Sequence, residues 1–273
     1  AEAAAIWQQI LTASEEHFGP DHLSVTISLN NLAVLLSSQG QHREAELLHR
    51  RSLAIREKAL GPDHPDVAPP LNNLAQDLLK LGQLGEAERL TRRSLAINQL
   101  ALGPNHPTIA TLLNNLAGIQ DNQGKYGEAE ILYRRSLAIW EKALGPDHPD
   151  VALSLNNLGK VLSDQGQYRA AEPFHRRSLA IREKTLGPDH PDVAMSLNNL
   201  ADLLRNLGQF GAAEMLHRRS LAIYEKTLGS DHPSVALSLN NLGQLLSSQG
   251  QLSAAETLYR RSLVIYEKTL GSD

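Results

Sequence analysis

Two adjacent asparagines recur six times in this chain, at Asn30-Asn31, Asn72-Asn73, Asn114-Asn115, Asn156-Asn157, Asn198-Asn199 and Asn240-Asn241, each pair 42 residues after the last. A strict period of that length is the mark of a solenoid, in which a repeat buries its apolar face only against its neighbours. The 273 residues are therefore read as one unit repeated, not as one or two globular domains. Leu and Ala supply most of the apolar residues and aromatics make up only 4%, which favours helices over strands.

The register of the repeat follows from the shift of 42. Residues 1–19 match the second half of a repeat, since Gly19 falls on Gly61. Full repeats then span 20–61, 62–103, 104–145, 146–187, 188–229 and 230–271. In 146–187, Pro149 suits the first turn of a helix, where a missing N–H costs nothing, and Asp150 suits the positive end of its dipole. A first helix is expected from about Pro149 to Gln165, ended by Gly166, and a second from about Tyr168 to Leu186, closed by Gly187. Leu155, Leu158, Gly159 and Leu162 follow helical apolar spacing. Ala171 is Ala in every full repeat, small enough to let two helices approach closely. Two helix starts depart from the pattern. Pro69 follows Pro65 by four residues and should delay or distort its helix, and Leu23 replaces the usual Pro and should loosen another.

Composition closes off several function classes. A net charge of −4 calls for neither nucleic acid nor an anionic membrane, and no apolar run reaches the roughly 20 residues that span a bilayer. With no cysteine there is no thiol nucleophile, disulfide or cysteine-ligated zinc. The start, Ala1-Glu2-Ala3-Ala4-Ala5, has no secretion pattern and reads as a cut from a longer chain, so the expected location is the cytoplasm. The repeated Asp-His of the connections, as in Asp147-His148, has no nucleophile at fixed spacing, and its copies lie a repeat apart. Capping and loop packing are its expected roles, with no enzyme activity, metal or cofactor. The Arg pairs from Arg50-Arg51 to Arg260-Arg261 each have a Glu four residues before the first Arg, which makes a salt-bridged face more fitting than a nucleic-acid stripe. Trp7 and Trp140 read as packing residues.

Leu158-Gly159, the Gly166 turn, Tyr168, Ala171 and His175 resemble the tetratricopeptide pattern. The 42-residue length, with LNNLA in the first helix and SLAIREK with LGPDHPDVA after it, resembles the repeats of kinesin light chain and related long repeats of sensor proteins. The resemblance covers essentially the whole chain. It implies an all-α, right-handed α-solenoid superhelix of thirteen helices, with the first helices lining a concave groove for an extended peptide or partner segment.

On a helical wheel, Leu153, Asn156, Lys160, Ser163 and Asp164 lie opposite the leucine stripe. A row of carboxamides there offers donors and acceptors to a peptide backbone, and the neighbouring positions vary from repeat to repeat. The resemblance carries peptide holding onto Asn30, Asn72, Asn114, Asn156, Asn198 and Asn240. Specificity falls to varying neighbours that include Gln76, Lys160, Asp202, Arg205 and Gln244. The competing reading bonds the asparagines to one another between helices, and Asn31, Asn73 and their equivalents lie nearer that side. Two other readings of the whole stand beside the peptide scaffold. One is a structural or self-associating solenoid with apolar ends, and the other is the ligand-sensing arm of a larger signalling protein.

Overall fold

The computed structural model describes residues 2–270. Among them are thirteen α-helices and one short 3-10 turn, with no strand. They are α1 (Glu2–Phe18), α2 (Val25–Ser38), α3 (His42–Leu60), α4 (Ala68–Lys80), α5 (Leu84–Leu102), α6 (Pro107–Asn122), α7 (Tyr126–Leu144), α8 (Pro149–Asp164), α9 (Tyr168–Leu186), α10 (Pro191–Asn206), α11 (Phe210–Leu228), α12 (Pro233–Ser248) and α13 (Leu252–Leu270). The even-numbered helices are the first helices of their repeats; α2, α4, α8, α10 and α12 each pack on the second helix that follows, and Ser136 of α7 bonds Ala110 of α6. Two compact units result, one ending at Ile139 and one beginning at Trp140, a boundary that falls inside α7.

Helix starts follow the local chemistry. α6, α8, α10 and α12 all begin on the proline of the connection. The histidine before it is the N-cap, and its Nδ1 accepts from the backbone N–H two residues on, as His148 does from Asp150 at 3.2 Å. The same cap recurs at His64, His106, His190 and His232. A capping histidine thus takes the place that Ser, Thr or Asp fills in most helices. In the second repeat a 3-10 turn over Pro65–Val67 comes first and α4 begins at Ala68, which leaves Pro69 in the first turn, where no backbone bond is lost. Without its proline, α2 begins only at Val25, and Ser24 makes no side-chain cap. Gly166 ends its repeat's first helix at φ +75° and Gly187 ends the second at φ +86°, ψ 157°, backbone that a side chain would strain.

Within each repeat the leucines and small residues of the first helix form the core. Leu155, Leu158 and Leu162 are completely buried, as are Ala45, Ala87, Ala129, Ala171 and Ala213 on the second helices. Between the two helices runs a buried serine. Ser52, Ser94, Ser136, Ser178, Ser220 and Ser262 each donate to a first-helix carbonyl 26 residues back, as Ser178 Oγ does to Ala152 O at 2.7 Å. Trp140 is buried and Trp7 packs half-buried against the cluster that holds Leu11, Val25, Leu29, Leu32 and Ile55.

Repeats are joined along their second helices by charge. The first Arg of each pair bonds the Glu of its own helix four residues back, as Arg176 does Glu172. The second Arg reaches the preceding repeat. Arg177 pairs with Glu141 and donates to the Pro146 carbonyl at 3.1 Å. Arg51, Arg93 and Arg219 make the same two contacts, and Arg261 pairs with Glu225. Lys58, Lys184, Lys226 and Lys268 add a pair to the Asp of the connection 37 residues earlier. These staples tie one connection to the next and were invisible in the within-helix spacing.

Candidate functional site

The asparagine row lies where successive first helices meet, α2 with α4 and α4 with α6 in the first unit, α8 with α10 and α10 with α12 in the second. Its members bond to each other. Asn73 Nδ2 donates to Asn30 Oδ1 at 2.9 Å, Asn115 to Asn72 at 3.0 Å, and Asn199 to Asn156 at 2.8 Å. The second asparagine of one repeat therefore occupies the acceptor of the first asparagine of the repeat before it. Asn30 and Asn72 remain half-buried, with no hydrogen bond from Nδ2 among the described residues. Asn156 is buried. Asn198 is engaged at both ends, giving Nδ2 to Ser238 Oγ at 2.9 Å and taking the His217 Nδ1 proton at 3.0 Å. Asn114 is half-buried and engaged, and Asn240 is half-buried with no side-chain hydrogen bond among the described residues.

The varying neighbours lie on the same helices, one or two turns beyond the asparagines. Lys160 and Gln244 are exposed, and Gln76, Asp202 and Arg205 are half-buried. Lys160 pairs with Asp164 at 2.7 Å. Arg205 stands 3.8 Å from Asp202, whose carboxyl burial pushes up against the lowering pull of that guanidinium. Leu153, Met195 and Leu237 add an exposed apolar position one turn before the asparagine in the second unit, as Ile27 does in α2.

Behind this face sits a second layer at the position of His175. There the repeats carry His49, Thr91, Tyr133, His175, His217 and Tyr259. Gly159 packs close against His175, since a Cβ there would fall 2.8 Å from the imidazole and the ring would have to shift. Burial holds His175 down at about 4, partly offset by a hydrogen bond with the Gly159 backbone. Burial, aided by the Arg205 charge, also holds His217 at about 4. Asp202 Oδ1 lies 3.7 Å from His217 Nε2, beyond hydrogen-bond length, so it does not restore the proton.

His49 has a different neighbour. Asp77 on α4 is 2% exposed and occupies a position that is Leu35, Ile119, Val161, Leu203 or Leu245 in the other repeats. Its Oδ2 faces His49 Nδ1 at 2.7 Å, and its Oδ1 takes Ser37 Oγ at 2.6 Å and His42 Nδ1 at 3.1 Å. Burial alone would raise its pKa, but the hydrogen bonds from His49, Ser37 and His42 outweigh it and hold the carboxyl below the usual range. Laying the repeats over one another would have found this cluster, since a carboxylate among five aliphatic residues is a break in the core pattern. The Asp-His pair has no hydroxyl on the free imidazole nitrogen, so it is not a nucleophile-activating arrangement.

The tetratricopeptide repeat family profile matches residues 48–99, 66–139, 108–184, 165–226 and 192–268, and a second profile of the same description matches 25–66. The chain belongs to the tetratricopeptide repeat family. Two crystal structures from Podosopora anserina, of a kinesin light chain protein with nearly identical TPR-like repeats, place it among the kinesin-light-chain-like tetratricopeptide proteins. Each is 31% identical over 77% of this chain and 99% of that one, with TM-scores of 0.66 and 0.65. BtubC (BKLC) of P. vanneervenii is 23% identical over 86% of this tetratricopeptide chain and 91% of its own, with a TM-score of 0.67. The apo form of RapI is 17% identical over 96% and 91%, with a TM-score of 0.71; at that identity both likenesses speak for the fold alone. No curated protein sequence matches this tetratricopeptide chain. Tetratricopeptide repeats are protein-interaction scaffolds, and no described helix is long and apolar enough to cross a membrane.

Proposed function

We propose that the concave groove lined by the first helices binds an extended peptide or partner segment. The observation that carries this reading is where the repeats differ. Core leucines, the capping histidine and the buried serine hold nearly constant, while the accessible positions beside the asparagines run Val34, Gln76, Gly118, Lys160, Asp202 and Gln244. No core requirement explains a valine, a lysine and an aspartate at one position. A surface that reads a partner's side chains does.

The hydrogen-bond ladder narrows how that face would work. Asn156 and Asn198 are committed inside the protein, so main-chain contacts fall to the half-buried Asn30, Asn72 and Asn240. The opposed charges of Lys160, Asp202 and Arg205 favour a partner of mixed charge over the second unit. The kinesin-light-chain resemblance supports the same use of the face, and a cytoplasmic setting suits it.

Display selection of random dodecapeptides tests the reading. Selected peptides should bind the parent and lose about tenfold or more affinity to a Lys160→Glu, Arg205→Ser variant, while Arg176→Glu on the second-helix surface binds as the parent does. Equal loss in both variants, or none in the first, would count against the face.

One observation favours a second reading, self-association. On α13, Leu252, Leu263 and Val264 are each more than half exposed, whereas Leu221 of α11, at the position of Leu263, packs on Val235, Ala236 and Leu239. Sedimentation at rising concentration separates the two, because Leu263→Glu would abolish association and leave peptide binding intact.

A further inference from the structure

The Asp77 cluster lies at one wall of a cleft of about 300 Å³ between α2, α3 and α4, lined also by Val34, Gln76 and Lys80. That volume reaches the lower end of what small-ligand sites use. Two polar atoms of its lining residues are left over: His49 Nε2 and Gln76 Nε2 are buried and have no hydrogen-bond partner. His49 is 1% exposed, and its ring is turned by the bond from Nδ1 to Asp77 Oδ2 at 2.7 Å. In the tautomer whose Nδ1–H is directed at Asp77, the lone pair lies at Nε2, while the Gln76 nitrogen offers an N–H. An unmade bond at such atoms costs free energy that a matching ligand recovers.

The match needed is one donor and one acceptor on a short neutral group. Asp77 already takes three hydrogen bonds, and no metal-holding cluster exists among the described residues. An anion would meet the Asp77 charge and the His49 lone pair, with only the exposed Lys80 to favour it. A carboxamide meets both requirements, giving N–H to His49 and taking the Gln76 proton on its oxygen. The exposed Val34 suits the methylenes behind such a group. We propose that this cleft is a carboxamide site, which receives the glutamine or asparagine side chain of a bound peptide. The peptide origin rests on the groove reading; the carboxamide chemistry stands apart from it.

Propionamide, which is the glutamine side chain alone, tests the site on the full chain. Its matched probes are butanone, which keeps the carbonyl without the N–H, and propionate, which exchanges the N–H for a charge. Long-range nitrogen–proton correlation spectra follow the His49 ring. Propionamide should shift His49 Nε2 saturably, with butanone and propionate about tenfold weaker. Gln76→Val, which installs the residue found at Val34 in the preceding repeat, should bring propionamide down to the butanone level with the fold unchanged. An unmoved His49, or equal response to butanone, would overturn the site, and a stronger response to propionate would make it an anion site held by Lys80 and overturn the carboxamide. Selected peptides that fail to bind would sink the groove reading and leave the propionamide result intact.

Discussion

At the residue scale, one side chain does several jobs at different repeats, and its surroundings decide which. The histidine at the helix start is a cap because Nδ1 reaches a free backbone N–H. His148→Ala should cost about 1 kcal/mol in denaturant unfolding and speed exchange of the Asp150 amide, as loss of an N-cap does elsewhere. An unchanged Asp150 exchange rate would mean that the cap carries no energy. The histidine of the inner layer depends on its neighbour across the repeat. His49 faces Asp77, whereas His175 and His217 stand at positions paired with Leu203 and Leu245. Asp77→Leu leaves the His49 Nδ1 proton buried without an acceptor and should destabilise by ~1–3 kcal/mol. Combining it with His49→Tyr, the residue type that Tyr133 and Tyr259 carry at this position, should recover part of that loss. A double variant as unstable as the sum would remove the coupling.

At the element scale, helix bounds were legible in the sequence almost to the residue. Proline and glycine mark both ends, and α9 begins at Tyr168 and stops at Leu186 as expected. The first helix of that repeat stops one residue earlier than expected, at Asp164. The late starts of α2 and α4 also followed from the missing or added proline. The asparagine ladder was half legible. Spacing put the pairs on the surface between helices, but it could not say which carboxamide gives and which takes, because that depends on how far one helix slides along the next. The staples were not legible for the same reason: Arg177 and Glu141 are 36 residues apart, a distance set by packing alone. Their roles separate by mutation. Arg176→Ala removes a within-helix pair and should cost a few tenths of a kcal/mol, while Arg177→Ala loosens two repeats and should cost ~0.5–1 kcal/mol, discounted for exposure. Thermal unfolding of the two variants decides it, and equal shifts would make the staple idle.

At the scale of the whole molecule, a repeat array stores its stability as a sum of units and interfaces, so conditions that weaken one stretch show there first. Acid is such a condition. His175 and His217 sit at about 4 in the fold against 6.5 in an open chain, so the unfolded chain takes up their protons first as pH falls. Their contribution is complete above pH 6.5 and is lost progressively towards pH 4, up to ~3 kcal/mol for each. Asp77 has the opposite timing. Its pKa is lowered in the fold, so its contribution persists through that window and fades only below the ordinary carboxylate range. Hydrogen exchange at about pH 5 should therefore show α9 and α11 opening ahead of α3 and α5. Simultaneous loss in all four would contradict the assignment.

The central claim is that variation on the first helices is the record of a binding face, and a footprint tests it most directly. A peptide selected against the parent chain is added at saturation, and hydrogen exchange is followed helix by helix. Protection should concentrate in α2, α4 and α6 or in α8, α10 and α12, with the Arg-bearing surface of α9 and α11 unaffected. Protection centred on α9, α11 or α13 with the first helices unchanged would contradict it.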